Sequence, residues 1–337
     1  MSGGLAAPGG AFVAATLVLA VASGVLCWLV GRAGVLPNAV SGRSNHARPT
    51  SRAGGAVVLC VFAVSAGALV LAGGGPVRSG VLGAVVAAGL IGLADDVRGL
   101  GAGVKLAGLG LVAALAAGAA GPVEALPVPG AGWAPLPSPL GYALAALWVL
   151  GFVNVFNFMD GLNGMAAGTG LVLLGAAALV TGGQGPLAAC MTGALLGFAV
   201  PNALGGRPFL GDAGSLSVGT LVAAGAMAPA QGALWVVVAG ATPFLADAAS
   251  TLLARARRGE RVWEAHSEHA YQRLHRAGWP HLAVSAAYAG LAAGGAAAGL
   301  AARGGPAWQA WGAILGTLAA WALTVRVMAA LSLRARR

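Results

Sequence analysis

Long apolar stretches separated by short polar ones organise this chain. A lipid hydrocarbon core takes about 20 apolar residues as helix. Runs of that kind fall at 10–30, 54–74, 79–95, 104–121, 139–158, 163–182, 186–202, 213–229, 231–253, 281–302 and 306–331. Only helices or closed barrels satisfy backbone polar groups inside lipid, and runs this long point to helices. The pattern predicts an all-α, polytopic transmembrane bundle of about 10–11 spans, a single integral-membrane domain over 1–337 with no internal repeat. The polar intervals predict one set of loops at about 31–53, 96–103, 159–162, 203–212 and 254–280. The Pro- and Gly-rich stretch 121–138 predicts a loop on the other face, with a partly re-entrant segment as an alternative. No Lys or Arg precedes the run 10–30, which exceeds a signal-peptide core, so an uncleaved first span is expected.

Composition narrows the class. Of 337 residues, 58% are hydrophobic and 8% charged, against about 25% charged in soluble domains, which excludes a water-facing globule. Abundant Gly and Ala suit helices packed closely in lipid. Cys27, Cys60 and Cys190 are scattered through apolar runs and read as small hydrophobes, not as a disulfide or zinc framework.

Charge gives orientation. Seventeen of the nineteen basic residues fall on the side of the odd-numbered loops and the C-terminus; only Arg78 and Arg303 fall on the other. Basic residues collect on the cytoplasmic side, so the N-terminus is expected outside and the C-terminus in the cytoplasm. The net charge of +10 suits anionic lipid and anionic substrates. Nucleic acid is not expected as a partner, because the basic residues are divided among short loops.

The nine acids are more telling. All but Glu124 fall on the cytoplasmic side, and Asp95, Asp96, Asp160, Asp212 and Asp247 stand at or just inside span ends. Carboxylates near hydrocarbon are costly and mark functional sites by default; a helix cap explains any one of them, but five on one face are harder to explain so. In "GLADDVRGL" the adjacent Asp95 and Asp96 need a neutralising cation, and Lys105, the only lysine, is a compact charge suited to a phosphate. In "NVFNFMDGLNG" Asn154, Asn157 and Asp160 share a helical face, Gly161 and Gly164 allow close approach of a ligand, and Asn163 adds an amide. In "PFLGDAGSLSVG" Asp212 precedes a helix whose first turn carries Ser215. That residue is an N-cap, or a ligand holding Mg²⁺ against a diphosphate near the helix N-terminus. His266 and His269, three apart, predict a shared helical face. A zinc site would need a further ligand that the spacing does not supply, and with Arg273 a phosphate clamp is the better reading. The first loop offers similar groups in His46, Arg48, Thr50 and Arg52.

Taken in order, "SNHARPTSRAGG", "DDVRGL" with Lys105, "NVFNFMDGLNGMAAG", "GDAGS" and "HSEHAYQRL" cover almost the whole chain. In these motifs the sequence resembles the polyprenyl-phosphate N-acetylhexosamine-1-phosphate transferases, the MraY/WecA-like glycosyltransferase family 4. The resemblance implies a multi-pass enzyme of the inner (plasma) membrane with its site on the cytoplasmic face and a requirement for Mg²⁺ (or Mn²⁺). The implied reaction transfers a sugar-1-phosphate from a UDP-sugar to undecaprenyl or another polyprenyl phosphate and releases UMP. By the same resemblance Asp212 binds the metal, with Asp95 and Asp96 as further candidates near the lipid phosphate. Lys105 holds a phosphate, and Asn157, Asp160 and Gly161 to Asn163 form the nucleotide region. His266 and His269 match the histidine motif of the last large loop. "DGLNG" stands where the family often reads DGLDG, and "HSEHAYQRL" lacks the triple histidine of the peptidoglycan branch, which favours the WbpL-like branch of O-antigen and other surface polysaccharides. A homodimer is compatible with this reading. A secondary transporter would call for repeats and mid-membrane acids, and a CDP-alcohol phosphotransferase for a D-x-x-D-G…A-R motif; neither is present.

Overall fold

The computed structural model describes residues 8–38, 50–72, 79–181, 185–205, 207–227, 232–264 and 266–334. Its helices are α1 (Pro8–Ala33), α2 (Gly54–Leu71), α3 (Ser79–Arg98), α4 (Ala102–Ala120), α5 (Ser138–Phe158), α6 (Met165–Thr181), α7 (Gly185–Gly205), α8 (Gly211–Gly225), α9 (Ala233–Arg257), α10 (Ala270–Arg276), α11 (His281–Ala302) and α12 (Ala307–Arg334). Each apolar run in the sequence holds a helix, with α10 added between α9 and α11. Among the described residues nine helices are long and apolar enough to cross a membrane; α6 and α8, of 17 and 15 residues, are shorter.

The helix ends trim the expected loops. Asp96 lies within α3 and α4 begins at Ala102, leaving 99–101 between them, while the turn after α5 runs on to Gly164. Two small antiparallel pairs interrupt the all-helical pattern. Strand β1 (Pro37–Asn38) lies beside β2 (Thr50–Ser51), with Pro37 opposite Ser51. Strand β3 (Ala125–Val128) pairs with β4 (Gly132–Pro135), with Val128 opposite Gly132. Residues 121–138 therefore hold a hairpin where a loop or re-entrant segment was expected. It is fastened to the start of α12: the Trp311 indole donates to the Pro127 carbonyl at 2.7 Å, and the Trp133 indole to that of Gly305 at 3.0 Å.

Helix α8 is the axis of the bundle. Residues 213–225 are all buried, enclosed by α2, α3, α4, α5 and α6. A helix surrounded by protein can carry hydroxyls that lipid would penalise. Ser217 and Thr220 donate hydrogen bonds back to the carbonyls of Ala213 and Leu216, at 2.6 and 2.7 Å. The outer helices show the opposite face: Val18, Val21 and Val25 of α1 and Trp308, Leu315 and Leu323 of α12 are exposed apolar side chains suited to lipid.

Close packing in the absence of a strong hydrophobic drive requires small residues. Gly92 of α3 lies against the backbone of Asp212 and Ala213, and Gly55 of α2 against Leu210 and Gly214. Successive spans reverse direction, so the ends of α3, α5, α7 and α9 meet the starts of α4, α6, α8 and α11 on one face, the aspartate face.

Gly92→Ala would push a methyl into backbone that has no rotamer to yield, whereas Gly83 on the same helix faces open space. We expect Gly92→Ala to cost about 1–3 kcal/mol and to lower the melting temperature in detergent, with Gly83→Ala neutral in the same measurement.

Candidate active site

Four aspartates approach one another where α3 and α5 end and α8 begins. Asp95 and Asp96 close α3, Asp160 follows α5, and Asp212 lies in the first turn of α8. The Lys105 ammonium stands between two of them. Its Nζ is 3.0 Å from Asp95 Oδ2 and is also in contact with Asp212 Oδ2. The Leu100 N–H fastens Asp95 Oδ1 at 2.6 Å. On the far side of Asp212 the Asn157 amide donates to Asp212 Oδ1 at 3.0 Å and to Ser215 Oγ at 2.8 Å.

Asp96 has a different task. Only 2% exposed, its carboxylate accepts the N–H groups of Asp212 and Ala213 at 3.2 and 3.0 Å. It is the N-terminal cap of α8, supplied by another helix. A charge at a helix N-terminus contributes about 0.3–1 kcal/mol when exposed and up to about 2 when partly buried. Asp212 therefore does not cap its own helix, and its carboxylate is left for other partners. Arg52 Nη1 lies 3.8 Å from Asp96 Oδ1. Of the four residues expected in the first loop, Arg52 thus reaches the cluster; Thr50 opens β2, and His46 and Arg48 lie outside the described residues.

Asp160 occupies the turn between α5 and α6. Burial, and then the charges of Asp212 and Asp96, push its carboxyl up to about 8. The turn is held from three sides. The Tyr271 hydroxyl donates to the Phe158 carbonyl at 3.0 Å and lies where a side chain at Gly161 would be, which explains the glycine. Ser285 Oγ donates to the Asn163 carbonyl at 2.8 Å. The Asn202 side chain accepts the Gly164 N–H at 2.8 Å and donates to the Pro208 carbonyl at 3.0 Å. That buried amide joins the Asp160 turn to the loop leading into Asp212. Asn202 was not among the expected site residues; the available signal was an amide beside Pro201 at the end of an apolar run.

Other expectations are redrawn. Asn154 shares the predicted face, but its amide turns back on its own helix and donates to the Leu150 carbonyl at 2.7 Å. His266 and His269 do not lie on one helix, because α10 begins at Ala270. Asp247, fully buried, sets that start: it accepts the N–H groups of Ala270 and Tyr271 at 2.8 and 3.0 Å and the Tyr288 hydroxyl at 2.6 Å. Asp247 is thus a cap for α10, apart from the other four. The two imidazoles still meet, with centroids 4.9 Å apart. Burial, then His269 and Arg255, hold His266 below the ordinary histidine range. His269 Nδ1 is 3.3 Å from Asp247 Oδ1. The neighbouring arginines are paired within the loop, Arg255 and Arg258 with Glu260 and Glu268, and Arg261 with Glu264. Arg273 is exposed on α10.

No group of three or more His, Cys, Asp or Glu side chains arranged for a metal is found among the described residues. Mg²⁺ does not need one: it is held by one or two carboxylates, with water and substrate phosphates completing its shell. Asp95 and Asp212 fit that pattern, since both already converge on one positive charge, the Lys105 ammonium.

Known proteins resemble this chain in sequence. A family model described as glycosyl transferase family 4 matches residues 79–230, the segment that carries Asp95, Asp96, Lys105, Asp160 and Asp212. The chain is 31% identical over 284 residues to a decaprenyl-phosphate N-acetylglucosaminephosphotransferase of Mycobacterium tuberculosis, covering 72% of this chain and 69% of the relative. It is 30% identical over 314 residues to the protein of the same name from Mycobacterium leprae, covering 80% and 78%. A phospho-N-acetylmuramoyl-pentapeptide-transferase of Shouchella clausii is 33% identical over 153 residues, 43% of this chain and 46% of the relative. The chain thus spans about half the length of that relative and more than two thirds of the mycobacterial ones.

The raised Asp160 sets a pH dependence. Its carboxyl ionises near 3.8 when unperturbed and keeps its proton to about 8 in the fold. Between those values the unfolded state binds fewer protons, so metal-free stability falls as pH rises through the interval. Melting curves across that range should show a smaller fall for Asp160→Asn than for the parent chain.

Proposed function

Because this chain belongs to the MraY/WecA-like glycosyl transferase family 4, we propose that it transfers an N-acetylhexosamine-1-phosphate from a UDP-sugar to undecaprenyl or another polyprenyl phosphate. The carrying observation is the convergence of Asp95, Asp212, Lys105 and Asn157 on one face, at the end of the buried helix α8. Polyprenyl phosphate is confined to the bilayer and a UDP-sugar to water, so their shared site must sit at a membrane face. The basic loops favour the cytoplasmic one.

In the reaction an oxygen of the lipid phosphate forms a bond to the sugar-bearing phosphorus of the donor. The bond from that phosphorus to the bridging oxygen breaks, and UMP leaves with the electron pair. Both reactants are anions, so catalysis consists chiefly of neutralising charge and fixing positions. Mg²⁺ (or Mn²⁺), held by Asp212 with Asp95 beside it, would neutralise the diphosphate and make its phosphorus more electrophilic. Lys105, the cation now shared by those carboxylates, is placed to meet a phosphate oxygen. Asn157 orients Asp212, and Arg52 adds positive charge beside Asp96. The turn from Asp160 to Asn163 is read as the nucleotide site, and His266 with His269 as groups that steady the phosphates or the sugar. A lipid phosphate is largely ionised at pH 7, so no strong base is required. The motif "HSEHAYQRL" supports a place in O-antigen or other surface-polysaccharide initiation, in the inner membrane.

Membranes containing the protein, supplied with Mg²⁺, labelled UDP-GlcNAc, UDP-QuiNAc or UDP-FucNAc and undecaprenyl phosphate, should yield labelled lipid-diphosphate sugar and UMP. Asp212→Asn should remove turnover while the protein stays in the membrane. Product from none of the donors would refute the reaction, and full activity in the variant would refute the metal assignment.

A further inference from the structure

Two histidines outside the aspartate cluster form a chain with only one consistent arrangement of protons. His275 lies in α10 and His281 opens α11. Their Nε2 atoms are 3.1 Å apart, with the rings edge-on at 78°. Two imidazole nitrogens at that distance need one hydrogen between them. The other ring atoms decide whose it is. His275 Nδ1 lies 2.9 Å from the Trp279 carbonyl, which can only accept, so that nitrogen carries a proton. His281 Nδ1 accepts the Asn163 N–H at 3.2 Å, so that nitrogen is bare. His281 Nε2 then holds the shared hydrogen and donates it to His275 Nε2. Both rings are neutral and of opposite tautomer, and a further proton on the facing atom of His275 would set two N–H groups head to head.

The chain is anchored at both ends. The Trp279 indole donates to Ser332 Oγ at 2.8 Å and to the Met328 carbonyl at 3.0 Å, both on α12. At the other end is Asn163, whose carbonyl is held by Ser285. The side-chain Oδ1 of Asn163 is buried without a hydrogen-bond partner among the described residues, an acceptor left for a ligand N–H. We propose that His275 and His281 are positioning residues, a tautomer-matched pair that ties α12 to the Asn163 backbone and fixes the nucleotide turn without touching substrate. This rests on reading that turn as the donor site.

The test uses the full chain in nanodiscs, labelled with ¹⁵N-histidine and assigned by single substitutions. At pH 8 the spectra should show His275 neutral with the proton on Nδ1 and His281 neutral with the proton on Nε2; the same tautomer in both, or a cation in either, overturns the pair. His281→Leu should raise KM for the UDP-sugar and weaken UMP binding, each about tenfold, as for loss of one buried hydrogen bond, with kcat within about twofold. His281→Gln, which keeps an acceptor, should recover most of the loss. A fall in kcat at unchanged KM, or wild-type UMP binding in the Leu variant, overturns the positioning role. If the wild-type chain transfers from no UDP-sugar, the reaction reading fails separately, while the spectra and UMP binding still decide the pair.

Discussion

The ammonium of Lys105 between the carboxylates of Asp95 and Asp212 is the contact on which the rest of the aspartate face depends. Carboxylates gathered at the end of a buried helix repel one another unless a cation stands between them. The lysine comes from α4 and the acids from α3 and α8, so the three helices are joined at the point where their like charges would drive them apart. Asp96 answers the same constraint with the backbone: its charge is spent on the N–H groups that open α8. Adjacent aspartates thus divide the work, one holding the helix and the other facing the cation.

Such an arrangement requires the helices to approach closely. Gly92 and Gly55 allow α3 and α2 to reach the backbone around Asp212 and Gly214. Without that approach the Asp96 carboxylate would not reach α8. Asn202 completes the frame from α7 by bonding both the turn that carries Asp160 and the loop leading into α8.

The spans were legible because hydrocarbon imposes one requirement, apolar length, that any window of sequence reveals. Asp95, Asp160 and Asp212 were legible because ionisable groups at span ends are rare and costly. Relations between distant residues were less so. Nothing near Lys105 announces Asp212, 107 positions away. Asn202 reads as a stray amide in an apolar run. The spacing of His266 and His269 misled, because the start of α10 is set by Asp247, 23 positions before Ala270. The hairpin at Ala125–Pro135 was hidden by its prolines, which signal a break in a helix but not the pairing of the strands beyond it. The arginines at the end of α9 could be counted from sequence, but not the pairing of Arg255 and Arg258 with Glu260 and Glu268.

Helix α8 has 15 residues and at about 1.5 Å each is about 22 Å long, while the hydrocarbon layer is about 30 Å thick. The helix cannot reach from one water boundary to the other, so polar backbone begins below the headgroups and survives there because neighbouring helices wall it off.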